Sequence, residues 1–280
     1  LDKIINKLKK FVIDENINTT EVILGRFRGE LAMIGSRNDN QASNEGSDNI
    51  TQNNQKNVTE KEIDPPMGGA GDLPAGLAYG GYGTSVPGNT NKTEEYNGTS
   101  WSEQNDMANP RGQCSGQHIG TQTAALAAGG TLPGSPNYGS ACEEYNGSSW
   151  TAGGALTEDS GRSYLAGFGT QTAGVAGSGY AQTGATANSE HYDGSSWTAA
   201  NNMNTARERV GGFGTNTSAL VFGDNVPPGN GALTESWNGT NWTEVNDLNT
   251  GRRSYGGAGT STAAINIGGG SPLTADTELW

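Results

Sequence analysis

An eight-residue motif occurs four times in this chain, and its spacing limits the possible folds more than any single residue does. Each copy begins with Glu, has an aromatic residue in third place and ends with Trp: Glu94 to Trp101, Glu143 to Trp150, Glu190 to Trp197 and Glu235 to Trp242. A fifth copy begins at Glu278. The central aromatics Tyr96, Tyr145, Tyr192, Trp237 and Trp280 lie 49, 47, 45 and 43 residues apart. This period is typical of stacked or radially arranged repeat units.

The centre of the motif predicts a tight turn between two strands. It reads Asn97-Gly98, Asn146-Gly147, Asp193-Gly194 and Asn238-Gly239 in the four complete copies. Asn, Asp and Gly accept the positive φ angles that tight turns between antiparallel strands require, and aromatic residues stand on both sides. Each copy is therefore expected to be the tip of a β-hairpin.

A second motif repeats between these hairpins. It reads GTQTAALAAGG from Gly120, GTQTAGVAGSG from Gly169, GTNTSALVFGD from Gly214 and GTSTAAINIGG from Gly259. Its small and apolar residues are typical of a strand buried between neighbouring sheets. The segment from Gly68 to Gly81 shares its first four and last two residues with Gly256 to Gly269. A more divergent first unit is therefore expected to start near Met67, which makes five units.

Each unit is expected to contain four short strands, A to D. Strand A precedes the GTxT turn (Gly211 to Gly214 in the fourth unit), B runs from its second Thr, C ends at the motif Tyr or Trp, and D starts near the last Trp. Four strands in about 45 residues are typical of a β-propeller blade. Helical repeats are disfavoured after residue 35, since 45 of the 280 residues are Gly. The predicted fold is an all-β propeller of about five four-stranded blades.

The repeats resemble kelch repeats over residues 67–280. The shared pattern is paired glycines after strand B, a Tyr near the end of C, a Trp about five residues later and an Arg before the next strand A, as at Gly129-Gly130, Tyr145, Trp150 and Arg162. The sequence GTQTAALAAGG together with the motif EEYNGTSW is similar to kelch-like repeats of marine bacteriophage structural proteins. This resemblance implies a propeller in a virion protein.

The N-terminal region differs from the repeats. An apolar stripe at helical spacing predicts a short amphipathic helix over residues 2–13, and Glu21 to Met33 could form one or two strands. Residues 36–66 are polar and are expected to be a linker or strap. The fifth unit shows no strand D, so the missing strand would come from the N-terminal segment or from a continuation of the chain. We therefore divide the chain into an attachment segment (1–35), a linker (36–66) and a propeller (67–280).

Charge and hydropathy narrow the possible partners. The net charge is −13, which repels phosphate backbones, so nucleic acid is not an expected partner. No apolar run approaches the length that a membrane helix needs, so no membrane insertion is expected. The N-terminal segment is expected to bind other virion proteins or further copies of this chain.

Catalytic sites of related propellers are not recognisable. Copper oxidases with kelch-like propellers need two His and two Tyr at one metal, whereas this chain has only His118 and His191, on different strands of successive units. Glu94, Glu143, Glu190, Glu235 and Glu278 recur once per unit, as do Arg111, Arg162, Arg207 and Arg252. Such recurrence favours a scaffold role, for example an ion pair between blades. We expect no metal, no cofactor and no disulfide between Cys114 and Cys142.

A ligand is expected on the face that carries the B–C and D–A loops, because these loops vary while the turns of the opposite face are nearly identical. The variable loops include Tyr82 to Pro87, Thr131 to Ser140 and Asp224 to Gly231. Tyr82, Tyr138 and Tyr180 follow strand B in three successive units and could stack on sugar rings, or could simply cap the blades. The expected function is a non-enzymatic virion component, such as a fibre, decoration or tail-associated protein, that binds another virion protein or a host-surface glycan. The alternatives are a secreted carbohydrate-active enzyme and a kelch-type interaction module.

Overall fold

The computed structural model is an all-β structure in which five small antiparallel sheets form a five-blade β-propeller. It describes residues 22–27, 30–34, 68–70, 75–83, 88–114, 119–134, 138–157, 161–225, 231–253, 256–270 and 275–280. These ranges contain no helix. The predicted helix over residues 2–13 and the predicted linker over residues 36–66 lie outside the described residues.

The strands follow the repeat units along the chain. An N-terminal hairpin consists of β1 (Val22–Phe27) and β2 (Glu30–Ile34). Blade 1 spans β3 (Gly68–Ala70), β4 (Gly76–Tyr79), β5 (Tyr82–Gly83), β6 (Gly88–Asn89), β7 (Thr93–Tyr96) and β8 (Trp101–Glu103), of which β5 and β6 form a separate hairpin. Blade 2 is β9 (Gly120–Thr121), β10 (Ala124–Ala128), β11 (Cys142–Tyr145) and β12 (Trp150–Gly153). Blade 3 spans β13 (Ala166–Thr170), β14 (Ala173–Gly177), β15 (Tyr180–Ala181), β16 (Gly184–Ala185), β17 (Ser189–Tyr192) and β18 (Trp197–Ala200), with β15 and β16 as a separate hairpin. Blade 4 is β19 (Gly211–Thr215), β20 (Ser218–Asp224), β21 (Gly231–Trp237) and β22 (Trp242–Glu244), and blade 5 is β23 (Gly256–Gly259), β24 (Ala264–Ile267) and β25 (Thr277–Leu279).

The predicted strands A to D are confirmed in blades 1 to 4, and blade 5 has the three predicted strands in its described residues. The inner A strands of blades 2 to 5 (β9, β13, β19, β23) contact one another in order. β1 contacts β23, the innermost strand of blade 5, and pairs only with β2. Of the predicted segment, the described strands Val22–Phe27 and Glu30–Ile34 thus form a hairpin beside the inner strand of blade 5, and neither of them pairs with β25.

Tryptophans at the start of the D strands of blades 2, 3 and 4 join each of these blades to the preceding one. Their indole N–H groups donate to the first residue of strand C in that blade: Trp150 to Thr93 Oγ1 (2.8 Å), Trp197 to Cys142 Sγ (3.2 Å) and Trp242 to Ser189 Oγ (3.2 Å). The rings lie over the apolar strand-B residues of the preceding blade, so the core is divided into clusters between blades. The interfaces between these blades therefore hold the indole rings of Trp150, Trp197 and Trp242.

The expected scaffold role of the repeated Arg and Glu residues is confirmed in four units. Each Arg lies in the connection that leads into a blade and pairs with the Glu on strand C of that blade: Arg111 with Glu143 (2.7 Å), Arg162 with Glu190 (2.7 Å), Arg207 with Glu235 (2.8 Å) and Arg252 with Glu278. The first three pairs are almost inaccessible to solvent. Each Arg also donates to backbone carbonyls at the end of strand B and at the start of strand C, such as Ser178 O and Asn188 O for Arg162, which flank β14 and β17. The pair thus fixes the connection between two blades onto the second blade.

The predicted hairpin tips are confirmed in the four complete copies, but the residues of each turn pair differ in conformation. Only the glycines of the four Asn-Gly or Asp-Gly pairs have positive φ, at 89–92°. The preceding Asn or Asp instead accepts two backbone N–H groups with its side-chain oxygen, as Asn97 Oδ1 does from Thr99 (2.9 Å) and Ser100 (3.0 Å). The loop therefore has four residues, and an Asx turn stabilises it.

Asp193 offers a test of this turn by pH. Its carboxylate accepts the N–H of Ser196 and the O–H and N–H of Ser195, all at 2.8 Å, and these bonds lower the pKa of Asp193 to about 2. A depressed folded-state pKa contributes stability above the unfolded pKa of about 3.9 that is lost as pH falls toward 2. We expect an NMR titration of the Asp193 carboxyl to give a midpoint near 2. The other three complete copies have Asn at this position. The difference in the free energy of unfolding between Asp193→Asn and the parent should therefore become smaller as pH falls from 4 to 2. A midpoint near 4 would contradict the turn geometry.

Candidate functional site

Seven side chains that do not follow the repeat meet on the face of the B–C and D–A loops. We call them the axial cluster, since Tyr164 and Arg209 each lie two residues before the inner strands β13 and β19. Its members come from the D–A connections of three units and the B–C loops of three units: Tyr138, Tyr164, Tyr180, Glu208, Arg209, Asn225 and Arg253. All of them are partly or largely buried.

The backbone that carries the cluster has an uncommon conformation. Gln113, Tyr164 and Arg209, each two residues after a scaffold Arg, have φ of 54°, 56° and 56°. Positive φ is uncommon for residues other than Gly and costs free energy, so the surrounding structure must hold it. Tyr164 N–H donates to Gln113 O (2.9 Å) and Arg209 N–H donates to Tyr164 O (3.1 Å). These bonds bring together residues of different units that lie about 45 to 51 positions apart in the sequence.

Aromatic rings form the first part of the cluster. The rings of Tyr138 and Tyr180 meet edge to face, with centroids 5.5 Å apart. The guanidinium carbon of Arg209 lies 4.0 Å from the centroid of the Tyr164 ring, a cation–π contact. The structure therefore places two of the three predicted tyrosines together and adds a third that the sequence analysis did not single out.

Polar groups form the second part. Glu208 is 8% exposed, and its Oε1 accepts a hydrogen bond from Asn225 Nδ2 (2.9 Å). Asn225 Oδ1 in turn accepts from Arg253 Nη1. Arg209 Nε lies 4.0 Å from Glu208 Oε1. Asn225 thus links the buried Glu208 carboxylate to the Arg253 guanidinium. The Arg209 guanidinium lies at the edge of the same carboxylate.

Tyr138 and Tyr164 are neutral hydrogen-bonding groups near pH 7, because the pKa of each hydroxyl is raised. Burial raises the pKa of Tyr138, and the neighbouring Tyr180 and Glu208 raise it further. Burial also raises the pKa of Tyr164, although the nearby Arg209 opposes this shift. Both hydroxyls can therefore donate and accept hydrogen bonds.

The repeated Arg belongs to the scaffold, whereas the two residues that follow it vary between units and include members of the candidate site. The scaffold Arg is the same in four units, but the next residue is Gly112, Ser163, Glu208 or Arg253. The residue after that is Gln113, Tyr164 or Arg209 in the three units where it is described. Variation directly beside a repeated buried residue is a signal that sequence analysis could have used.

Tyr82, the third predicted tyrosine, lies elsewhere. It is on β5 of blade 1, is 50% exposed, and makes no ring contact with a described residue. A role in ligand binding stays a prediction for Tyr82, Tyr138 and Tyr180.

The histidines and cysteines do not form a recognisable site in the part of the chain that the structure describes. His191 packs against the ring of Trp237 in the next blade, with centroids 5.3 Å apart, and burial lowers its pKa. His118 lies outside the described residues. Cys114 and Cys142 are buried and do not form a disulfide, as expected. Among the described residues no three His, Cys, Asp or Glu side chains are grouped closely enough to hold a metal ion.

Comparisons with models of known protein families and with curated proteins gave no match for this chain. In the described residues there is no helix of the length and apolarity required to cross a membrane.

Proposed function

We propose that this chain is a non-enzymatic binding protein of a bacteriophage virion, such as a fibre, decoration or tail-associated component, and that its axial cluster binds a host-surface glycan. The observation that carries the proposal is the meeting of non-repeated aromatic and charged side chains on the variable face of a regular scaffold. The resemblance of the repeat sequence to kelch-like repeats of marine phage structural proteins supports the proposal that this is a virion protein.

The chemistry of the cluster suits a sugar. Aromatic faces such as those of Tyr138 and Tyr180 can pack against the C–H face of a pyranose ring, while the hydroxyls of the sugar need convergent donors and acceptors. Glu208 and Asn225 supply acceptors, and Arg209 and Arg253 supply donors. Because two guanidiniums face one carboxylate here, the cluster is locally positive on a chain of net charge −13. This balance favours neutral or acidic glycans.

A glycan array tests the proposal. We expect the full chain to bind a restricted set of glycans, and we expect Arg209→Ala and Tyr180→Ala each to weaken that binding roughly ten-fold or more, as loss of a central contact does. The matched control is Thr240→Ala, an exposed side chain in a turn of the opposite face, which should bind like the parent. Tyr82→Ala should have a smaller effect, since Tyr82 lies apart from the cluster.

Three results would argue against the proposal. Equal binding by Arg209→Ala and the parent would remove the axial cluster as the site. Release of new reducing ends from a bound glycan would favour the carbohydrate-active enzyme. Absence of the chain from purified particles of a phage that encodes it, measured by mass spectrometry, would remove the virion assignment.

A further inference from the structure

The charged side chains of the axial cluster carry the opposite sign of charge from the chain as a whole. Arg209 and Arg253 are positive and Glu208 is negative, so the cluster has one net positive charge on a chain of net charge −13. A local excess of positive charge attracts anions. The electrostatics of the site therefore favour a ligand group with a single negative charge.

Arg209 holds its guanidinium in a partly open position. The guanidinium carbon lies over the Tyr164 ring, 4.0 Å from the centroid, while the Arg209 side chain is 31% exposed. Nε of Arg209 is buried and has no hydrogen-bond partner among the described residues. A buried polar atom without a partner costs free energy, so an acceptor on a ligand at this edge gains a hydrogen bond that the described residues do not supply.

The nearby Glu208 carboxylate does not take this donor. Its Oε1 lies 4.0 Å from Arg209 Nε, which is beyond hydrogen-bond distance, and accepts from Asn225 Nδ2 at 2.9 Å. The Glu208 side chain is largely buried, at 11% exposed. Arg209 therefore retains donors for a second carboxylate that arrives from solvent.

A carboxylate is the anion that matches the edge of a guanidinium in shape. Two parallel N–H groups of the planar fork meet two coplanar oxygens in a bidentate pair, at N–O distances of about 2.7–2.9 Å. The contact with the Tyr164 ring restrains the Arg209 side chain before a ligand binds, which lowers the entropy cost of forming this pair. A lysine ammonium would attract any anion but could not form it.

The aromatic part of the cluster lies close to this charged part. Burial is the main cause of the raised pKa values of Tyr138 and Tyr164, and Glu208 contributes to both. Tyr138 in turn meets Tyr180 edge to face, with ring centroids 5.5 Å apart. A short oligosaccharide can therefore contact the tyrosine pair with one sugar ring and Arg209 with an acidic group of the same or the next sugar.

Building on the glycan-binding function proposed above, we propose that the axial cluster selects an acidic glycan, in which a pyranose ring bears a carboxylate, as in a uronic acid. The carboxylate pairs with the edge of the Arg209 guanidinium, and Arg253 adds positive charge to the same cluster. The rings of Tyr138 and Tyr180 contact the sugar independently of its charge. Selection for the acid thus resides in Arg209, and recognition of the ring resides in the tyrosines.

Paired glycan arrays test this selectivity on the full chain. One array is printed with neutral, carboxylated and sulfated glycans, and its duplicate is treated so that every sugar carboxyl becomes a methyl ester. Apparent affinities come from titration of the labelled chain over both arrays. We expect the bound glycans to carry carboxylates and to lose affinity roughly ten-fold or more on esterification, as for loss of charge-assisted hydrogen bonds. Affinity for the acid, but not for the ester, should also fall as salt is added.

Two variants separate charge from contact with the sugar ring. Arg209→Lys keeps the positive charge but loses the fork, so it should weaken binding of the acid roughly ten-fold and leave the ester within about two-fold. Tyr180→Ala should weaken binding of acid and ester by the same factor, because its contact does not depend on the carboxylate. Thr240→Ala on the opposite face is the control and should match the parent on both arrays. Circular dichroism and thermal melting establish that each variant is folded.

The outcomes distinguish this selectivity from glycan binding itself. Equal binding to the acids and their esters, or binding to neutral glycans alone, would overturn the selectivity and leave glycan binding standing. Equal binding to sulfated and carboxylated glycans would replace the carboxylate by any singly charged anion. Unchanged acid binding by a folded Arg209→Lys would also overturn the pairing that we describe. No binding to either array would remove the glycan-binding function together with its selectivity.

Discussion

Arg162→Met is expected to lower the free energy of unfolding by about 3–5 kcal/mol, because it leaves a buried carboxylate without its counter-ion. Arg162 and Glu190 are both 0% exposed, and Arg162 also donates to Ser178 O and Asn188 O. Met keeps most of the aliphatic volume, so the loss reports charge and hydrogen bonding more than a cavity. Equilibrium unfolding in urea, followed by circular dichroism and tryptophan fluorescence, measures the change.

The control is an ion pair of similar length on the surface. Lys92 Nζ lies 2.8 Å from Asp106 Oδ2, but the two side chains are 55% and 33% exposed. Exposed pairs are typically worth about 0–1 kcal/mol, so Lys92→Met should change stability little. If the two variants unfold within about 1 kcal/mol of each other, the buried pairs do not hold the blades as we describe.

The repeat made the blades predictable from sequence. The period, the paired glycines and the aromatic residues located strands A to D because every unit repeats the same contacts. The Arg–Glu pair could be expected for the same reason. A structural role that every unit needs requires the same residue type at the same position in every unit.

The axial cluster could not be predicted in full, and the reason is geometric. Tyr164 and Arg209 lie 45 residues apart in the sequence, and a backbone hydrogen bond between connections of successive blades brings them together. Their positive φ sets the position of both side chains, and neither residue type indicates that conformation. The rule that a tyrosine follows strand B selects Tyr138 and Tyr180, whose rings meet, but it also selects Tyr82, which makes no ring contact with a described residue.

The turns show a similar limit at a smaller scale. Asn-Gly predicted a hairpin tip correctly, but the two-residue turn that it suggests would need positive φ at Asn as well. Two further residues in each loop allow Asn97 and its equivalents to accept two N–H groups instead. The loop length decided between two conformations that the dipeptide permits.

Trp242→Ala is expected to lower the free energy of unfolding by about 3–5 kcal/mol, the range for truncation of a buried tryptophan. Trp242 is 6% exposed, packs against Phe168 with ring centroids 6.1 Å apart, and donates to Ser189 Oγ at 3.2 Å. Removal leaves a cavity between blades 3 and 4 and a buried hydroxyl without its donor. Urea unfolding, with Phe168 and Met203 side-chain shifts as local NMR probes, measures the loss.

Trp101 is the matched control, because it is the same repeat position in blade 1. It is 37% exposed and contacts Tyr96 with centroids 5.2 Å apart. Trp101→Ala should therefore cost about 1 kcal/mol, as for a partly exposed side chain. The difference between the two variants measures what an indole gains by entering the groove of a preceding blade. If both variants lose the same free energy, the indole position is not the main contact between blades.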